Sequence, residues 1–172
     1  MISKKMEKAL NEQIALEGTA SFIYLAMAAW CDSEGLDGCT QFMHRQSAEE
    51  REHMLKIFEY LSEVDGVAIT PAIKQPQRTY KSVQEMFKKV YAHEKKVTAS
   101  IHKLIDLASK EGDQTTFNFL QWYVTEQREE ENLMRSILDK IKLIGEGPHS
   151  LYYIDKEIKA VNEAELAAEG GE

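Results

Sequence analysis

Glu49-Glu50-Arg51-Glu52-His53 contains a Glu-x-x-His pair, Glu50 with His53. It lies midway along a helical pattern running from about Leu36 to Val64. The face of that helix turned to a neighbouring core carries Cys39, Phe42, Gln46, Glu50, His53, Ile57, Tyr60 and Val64. These positions alternate steps of three and four, the spacing of one buried stripe. Glu50 and His53 fall inside it, with apolar residues on both sides. A carboxylate and an imidazole one turn apart, aimed at a core, can clamp a metal ion. A register displaced by one position would instead leave Glu50 in solvent. Glu-x-x-His alone does not choose between these readings; the other helices do.

The chain has 172 residues, 43% of them hydrophobic, with three prolines and nine glycines. That is enough for a single domain spanning 1–172 with a substantial core. A formal net charge of −8 disfavours nucleic acid and anionic membranes as partners and favours cations. No run approaches the roughly 18 consecutive apolar residues of a membrane span. The start, MISKKMEKALNEQ, has charges where a signal peptide needs an apolar run. The default expectation is a cytoplasmic protein. Cys31 and Cys39 are too few for a disulfide framework and flank a turn that can bring them close. In a reducing compartment they stay thiols and read as small apolar fillers.

Four long helices are predicted, at about 3–32, 36–64, 82–111 and 113–144, with a short fifth at about 149–164. The first stripe is Met6, Leu10, Gln13, Glu17, Ala20, Tyr24, Met27 and Cys31, interrupted by an acid near its midpoint. A brief turn at 33–38 makes the second helix its antiparallel neighbour, which brings Glu17 level with Glu50 and His53. About seventeen residues then separate Val64 from Ser82, a capping-box N-cap with Glu85. A thirty-residue helix is about 45 Å long, and seventeen extended residues span roughly 56–61 Å. This connection can therefore cross the length of a bundle. The third stripe, Val83, Phe87, Val90, Glu94, Val97, Ile101, Leu104 and Ala108, again has one central acid. An unpaired buried carboxylate there would be costly. The fourth reads Thr116, Leu120, Tyr123, Gln127, Glu130, Met134, Ile137, Ile141 and Ile144. In the fifth, Leu151, Ile154, Ile158 and Val161 share one side, and AELAAEGGE is expected to fray.

Each long helix thus places polar groups at mid-stripe: Glu17, Glu50 with His53, Glu94, and Gln127 with Glu130. Four buried carboxylates cannot be offset by one histidine, so either several are protonated or cations bind. Two divalent ions balance them. Oxygen-rich ligation with one nitrogen suits iron or manganese rather than a structural zinc site. Two ferric ions around one oxide carry the same total charge as two ferrous ions, so one pocket can hold both states.

At these residues the chain resembles non-haem bacterial ferritin, over nearly its whole length and including the long second connection and short fifth helix. Ferritin-like di-iron bundles are the established example of metal sites built on facing helices. The resemblance implies an all-α ferritin-like bundle with a ferroxidase centre: Glu17 and His53 bind one iron, Glu94 and Glu130 the other, and Glu50 bridges them. Gln127 sits beside the centre. Tyr24 hydrogen-bonds near it as a candidate electron donor, or is simply a core tyrosine. Leu133 stands where a second Glu-x-x-His would need histidine, unlike bacterioferritin and rubrerythrin. Arg51 follows Glu50 where bacterioferritin has its haem-binding methionine, so no haem is expected. The implied function is oxidation of Fe(II) by O2 or peroxide and storage of ferric mineral in a shell of twenty-four copies. The competing readings are a rubrerythrin-like di-iron oxygenase or peroxidase that stores no iron, and a purely structural bundle.

A third iron site is expected at Glu49, Glu126 and Glu129, sharing Glu130. Glu126, Glu129 and Glu130 cluster on one helix face, where like charges three or four apart repel and favour a cation. The resemblance agrees. Arg45 and Arg128 are placed to screen these acids. His44, His93, His102 and His149 are read as surface or turn residues.

Overall fold

The computed structural model describes residues 2–169. Ser3 opens the first helix by accepting the Met6 N–H at 3.0 Å, and α1 (Lys4–Ser33) follows. After a two-residue turn and a short link, α2 (Asp37–Glu63) runs back alongside it. Two serines fix the register of this pair. Ser21 Oγ donates to the Ser47 carbonyl at 2.7 Å, and Ser47 Oγ donates to the Ser21 carbonyl at 2.8 Å. That lock brings Glu17 level with Glu50 and His53.

Residues 64–82 contain no helix or strand and travel along α1 from its start to its end. Ile2 N–H meets the Val64 carbonyl at 3.3 Å. The Asn11 side chain then grips both Val67 O, at 2.9 Å, and Ile69 N–H, at 2.7 Å. Pro71 and Ile73 pass over Gly18, and Tyr80 reaches Trp30 edge-on at 5.3 Å. The bundle-length crossing expected from the sequence is thus realised. The Ser82 hydroxyl accepts the Glu85 N–H at 3.1 Å and Glu85 accepts the Lys81 N–H at 2.7 Å, so α3 (Val83–Glu111) starts on a capping box. Gly112, at φ 67°, ends it in the left-handed conformation that glycine adopts without strain.

The fourth predicted helix, 113–144, is two segments, α4 (Gln114–Phe119) and α5 (Gln121–Ile144), meeting at Leu120. No proline or glycine marks the break. A tightened turn there, with Tyr123 N–H on Leu120 O at 3.2 Å, accompanies aromatic packing on both sides. Phe119 stacks on Tyr60 with centroids 3.8 Å apart, and Trp122 stacks on Tyr123 at 4.3 Å. The last helix, α6 (Ser150–Glu169), is longer than predicted. The segment AELAAE continues as helix, as its strong helix formers favour. Leu151 does not join the buried side: it is exposed, while Ile154 and Ile158 are buried and Val161 packs on the core.

All the expected stripe positions of α1 and α3 are buried. The core forms two apolar clusters, one containing Phe42, Phe87 and Met134, the other Leu10, Ile57 and Ile101. The mid-stripe polar groups lie between them along each helix. By length and composition α1 matches a membrane span, but 56% of its most apolar window is buried inside the bundle. Its apolar surface is spent on the core.

α6 is held by an arrangement the sequence did not announce. The start of α2 has no capping side chain of its own. Instead Asp155 of α6 accepts the Gly38 N–H at 3.0 Å and the Cys39 N–H at 2.8 Å, placing negative charge at the helix's positive end. The approach needs a glycine. A Cβ on Gly38 would lie 2.3 Å from the Asp155 carbonyl and 2.9 Å from Lys159 Cβ. We expect Gly38→Ala to push α6 off α2 and destabilise the chain by about 1–3 kcal/mol, the usual cost of overpacking. Denaturant melts and limited proteolysis of the α6 segment measure both effects. An unchanged midpoint and cleavage rate would show that α6 docks without this contact.

Candidate metal centre

Glu17 of α1 and Glu50 and His53 of α2 bring one ligand atom each within 4.8 Å of one another, all three side chains buried. His53 Nδ1 lies 3.6 Å from Glu50 Oε2, too long for a hydrogen bond. Glu17 Oε2, Glu50 Oε2 and His53 Nδ1 have no hydrogen-bond partner, nor does Glu130 Oε2. Buried polar atoms are rarely left so, and these four are all atoms that ligate metals.

The other two long helices complete the layer. Glu94 of α3 is 0% exposed and accepts the Tyr24 hydroxyl on Oε1. Gln127 Nε2 donates to Glu94 Oε2 and to its carbonyl, each at 3.2 Å. Glu130 accepts the Gln46 amide at 3.4 Å. Every di-iron residue read from the sequence, with Tyr24 and Gln127, therefore sits in one buried layer. Glu94 and Glu130 stand outside the 4.8 Å triad, on its α3–α5 side.

The electrostatics are those of an overcharged cavity. Burial, then Glu17 and Glu94, drives the Glu50 carboxyl well above its ordinary range. Burial and then Glu94 do the same to Glu130. Glu94 is pushed up to about 6, chiefly by burial, with the Tyr24 and Gln127 hydrogen bonds opposing. Without metal the layer holds protons in place of cations. Burial pulls His53 down, but Glu126 and the other acids outweigh it and leave its pKa raised.

The further acids also converge. Glu49, Glu126, Glu129 and Glu130 line one cavity of about 650 Å³, joined there by Glu165 of α6. Glu126 Oε1 lies 3.8 Å from His53 Nε2, and the histidine holds the Glu126 carboxyl below its usual range. Glu49 pairs with Arg45 and with the Gln46 amide. Glu129 pairs with Arg128 at 3.1 Å near the surface.

Residues 7–144 match the ferritin-like domain family. The chain is 45% identical to the bacterial non-heme ferritin of Campylobacter jejuni, covering 94% of this chain and 96% of that one. It is 40% identical to the bacterial non-heme ferritin of Escherichia coli O157:H7, covering 94% and 98%. This chain belongs to the ferritin family. Among solved structures, an open pore ferritin from the hyperthermophilic archaeon Archaeoglobus fulgidus is similar with a TM-score of 0.89 and 43% identity, over 92% of this chain and 98% of that one.

Within this ferritin-family site, several supports escaped the sequence reading. Gln13 donates to Glu17 and accepts the Ser100 hydroxyl at 2.6 Å, linking α1 to α3 behind the first carboxylate. Tyr123 is wholly buried, and its pKa is raised by burial and by Glu17 and Glu50. The signal for Gln13 was its place on the stripe one turn before Glu17, beside two polar neighbours in a row. His93 is not a surface residue: it is half-buried against Tyr24, with centroids 5.9 Å apart. Its Nε2 is buried without a partner, and burial lowers its pKa. His44, His102 and His149 are exposed as expected.

A pH dependence follows for the metal-free protein. Glu94 moves from an ordinary 4.5 to about 6 on folding, a difference worth about 2 kcal/mol. The raised value means that the folded chain holds the proton more tightly. Its stabilising effect is therefore full below pH 4.5 and is lost as pH rises to about 6. We expect Glu94→Gln to flatten the fall in melting temperature over that window while costing little stability at pH 7. Calorimetry of both chains across pH 4–8 tests this. A large loss at pH 7 with unchanged metal affinity would make Glu94 a structural residue.

Proposed function

We propose that this chain oxidises ferrous iron at a di-iron centre within each subunit and stores the ferric product in a hollow shell of identical copies. The observation that carries the reading is the buried layer of four carboxylates and one histidine, with Glu17 Oε2, Glu50 Oε2, His53 Nδ1 and Glu130 Oε2 left unpaired. Glu17 and His53 hold one iron, Glu94 and Glu130 the other, and Glu50 bridges. Two ferrous ions give up one electron each, and dioxygen or peroxide accepts the pair. Oxygen donors favour the harder ferric ion, so the same carboxylates that bind the substrate also draw the oxidation forward. As iron enters, protons leave Glu50 and Glu130 for solvent. Gln127 and Tyr24 fix the Glu94 carboxylate from two sides, and Tyr24 is also placed to supply an electron.

The whole chain, 1–172, acts as one ferritin-like domain, and twenty-four copies assemble as a cytoplasmic shell. Family membership supports the assembly and storage, and the separate cavity of Glu49, Glu126, Glu129 and Glu130 supports a third iron position. Arg51 follows Glu50 and is exposed, and an arginine does not ligate haem.

We expect Glu50→Ala with His53→Ala to slow ferrous oxidation at least about 100-fold, since even outer partners of metal ligands are worth about 10- to 100-fold. The helical fold should survive, because the change removes buried charge. Stopped-flow absorbance after mixing with Fe(II) and oxygen reads the rate, and wild-type rates would defeat the assignment. Size-exclusion chromatography during iron loading separates storage from simple catalysis. A large assembly should take up far more than two irons per chain, whereas a small oligomer saturating at two would indicate an oxygenase or peroxidase.

Replacing Glu49, Glu126 and Glu129 with alanine should leave di-iron oxidation intact and change the ratio of iron oxidised to oxygen consumed. Anomalous scattering from iron-soaked crystals gives the direct view. An empty cavity at saturating iron would remove the third position and leave the first two standing.

A further inference from the structure

Away from the carboxylate layer, three sulfur-bearing side chains are buried in one core cluster at the hairpin end of the bundle. Cys31 lies in the last turn of α1, Cys39 in the first turn of α2 and Met86 in the first turn of α3. All three are 0% exposed. The Cys31 thiol points at Met86 Sδ, 3.6 Å away. Contact with the Cys31 side chain, then burial and the Asp155 carboxylate, keeps the Cys39 thiol well above its ordinary range. Both cysteines are free thiols, and nothing in the iron chemistry uses them.

We propose that Cys31, Cys39 and Met86 form a binding site for one cuprous ion per chain. Two thiols and a thioether are a soft donor set, which selects Cu(I) and has little affinity for oxygen-seeking Fe(II). The Cys31–Met86 spacing suits it. Three sulfurs around an ion at about 2.3 Å, the length of a zinc–thiolate bond, stand about 4 Å apart, so the Cys31–Met86 pair needs to open by only a few tenths of an ångström.

Coordination number sharpens the choice. Cu(I) held by both cysteines displaces both thiol protons to solvent, because the thiolate rather than the thiol ligates metal, and no electron moves. Zinc would lack the third and fourth nitrogen or thiolate ligands of its structural sites.

A cavity of about 370 Å³ between the crossover segment, α1 and α3 is lined by Met27, one turn before Cys31, and by Tyr80. None of the three sulfurs lines it, so an ion reaches them only when the hairpin end opens.

The test is an anaerobic titration of the full chain with Cu(I) against bicinchoninate, a coloured competitor, with copper K-edge absorption on the loaded protein. We expect one tightly held equivalent per chain with three sulfur neighbours. Cys31→Ala with Cys39→Ala should abolish it, and Met86→Leu should weaken it at least tenfold. Equal binding by wild type and the double variant, or copper surrounded by oxygen and nitrogen, would overturn the proposal. Should circular dichroism show the double variant unfolded, Met86→Leu decides alone, and unchanged affinity there rejects the site. The outcome is independent of the iron reading, since ferrous oxidation does not pass through these sulfurs.

Discussion

A carboxylate moved from water into an apolar seam must be neutralised by a proton or a cation, and this bundle places four at one level. Everything else in the structure accommodates that constraint. The α1–α2 register, locked by Ser21 and Ser47, sets Glu17 against Glu50. The α3–α5 register, held by Gln127 on Glu94 and by Thr98 on Glu131 at 2.6 Å, sets the other two. A slip of one turn in either pair would strand an acid among aliphatic side chains, at a cost of several kcal/mol. The charged layer thus acts against alternative helix pairings as well as for metal binding.

The second consequence concerns how the acids are held. Three of the four have neutral hydrogen-bonding neighbours: Gln13 for Glu17, Tyr24 and Gln127 for Glu94, Gln46 for Glu130. Neutral donors orient a carboxylate without cancelling its charge. An arginine in the same place would have filled the cavity's need for cations and left none for iron. Arginine is instead kept one step outward, where Arg45 pairs with Glu49. The centre is therefore pre-shaped yet undercompensated, the condition under which binding energy goes to the metal.

The helices and their buried faces were legible because one stripe of period three to four survives on each, even with polar residues at its centre. The four mid-stripe positions were legible for the same reason, since a charge on an apolar face contradicts its surroundings. What the stripe could not show was anything set by contacts between helices. The break at Leu120 goes with Phe119 stacking on Tyr60, and the capping of α2 by Asp155 joins residues more than a hundred positions apart. His93 was read as a surface residue because its helical position lies off the stripe. Its ring meets Tyr24 of α1 edge-on, a contact between helices that the stripe does not show. For α6, a Glu- and Ala-rich tail looked prone to fray, yet its intrinsic helix propensity carries the helix to Glu169.

The division of the core explains how such a centre is tolerated. Two apolar clusters, one at each end of the bundle, bury the large side chains, and the polar layer lies between them. At roughly 25 cal/mol per Å² of apolar surface removed from water, these clusters rather than the acids carry the fold. Substitutions at the centre then change metal chemistry more than stability, while those at the ends do the reverse. An ion held only by the folded chain, whether by the central acids or by the sulfurs at one end, is linked to folding in either place.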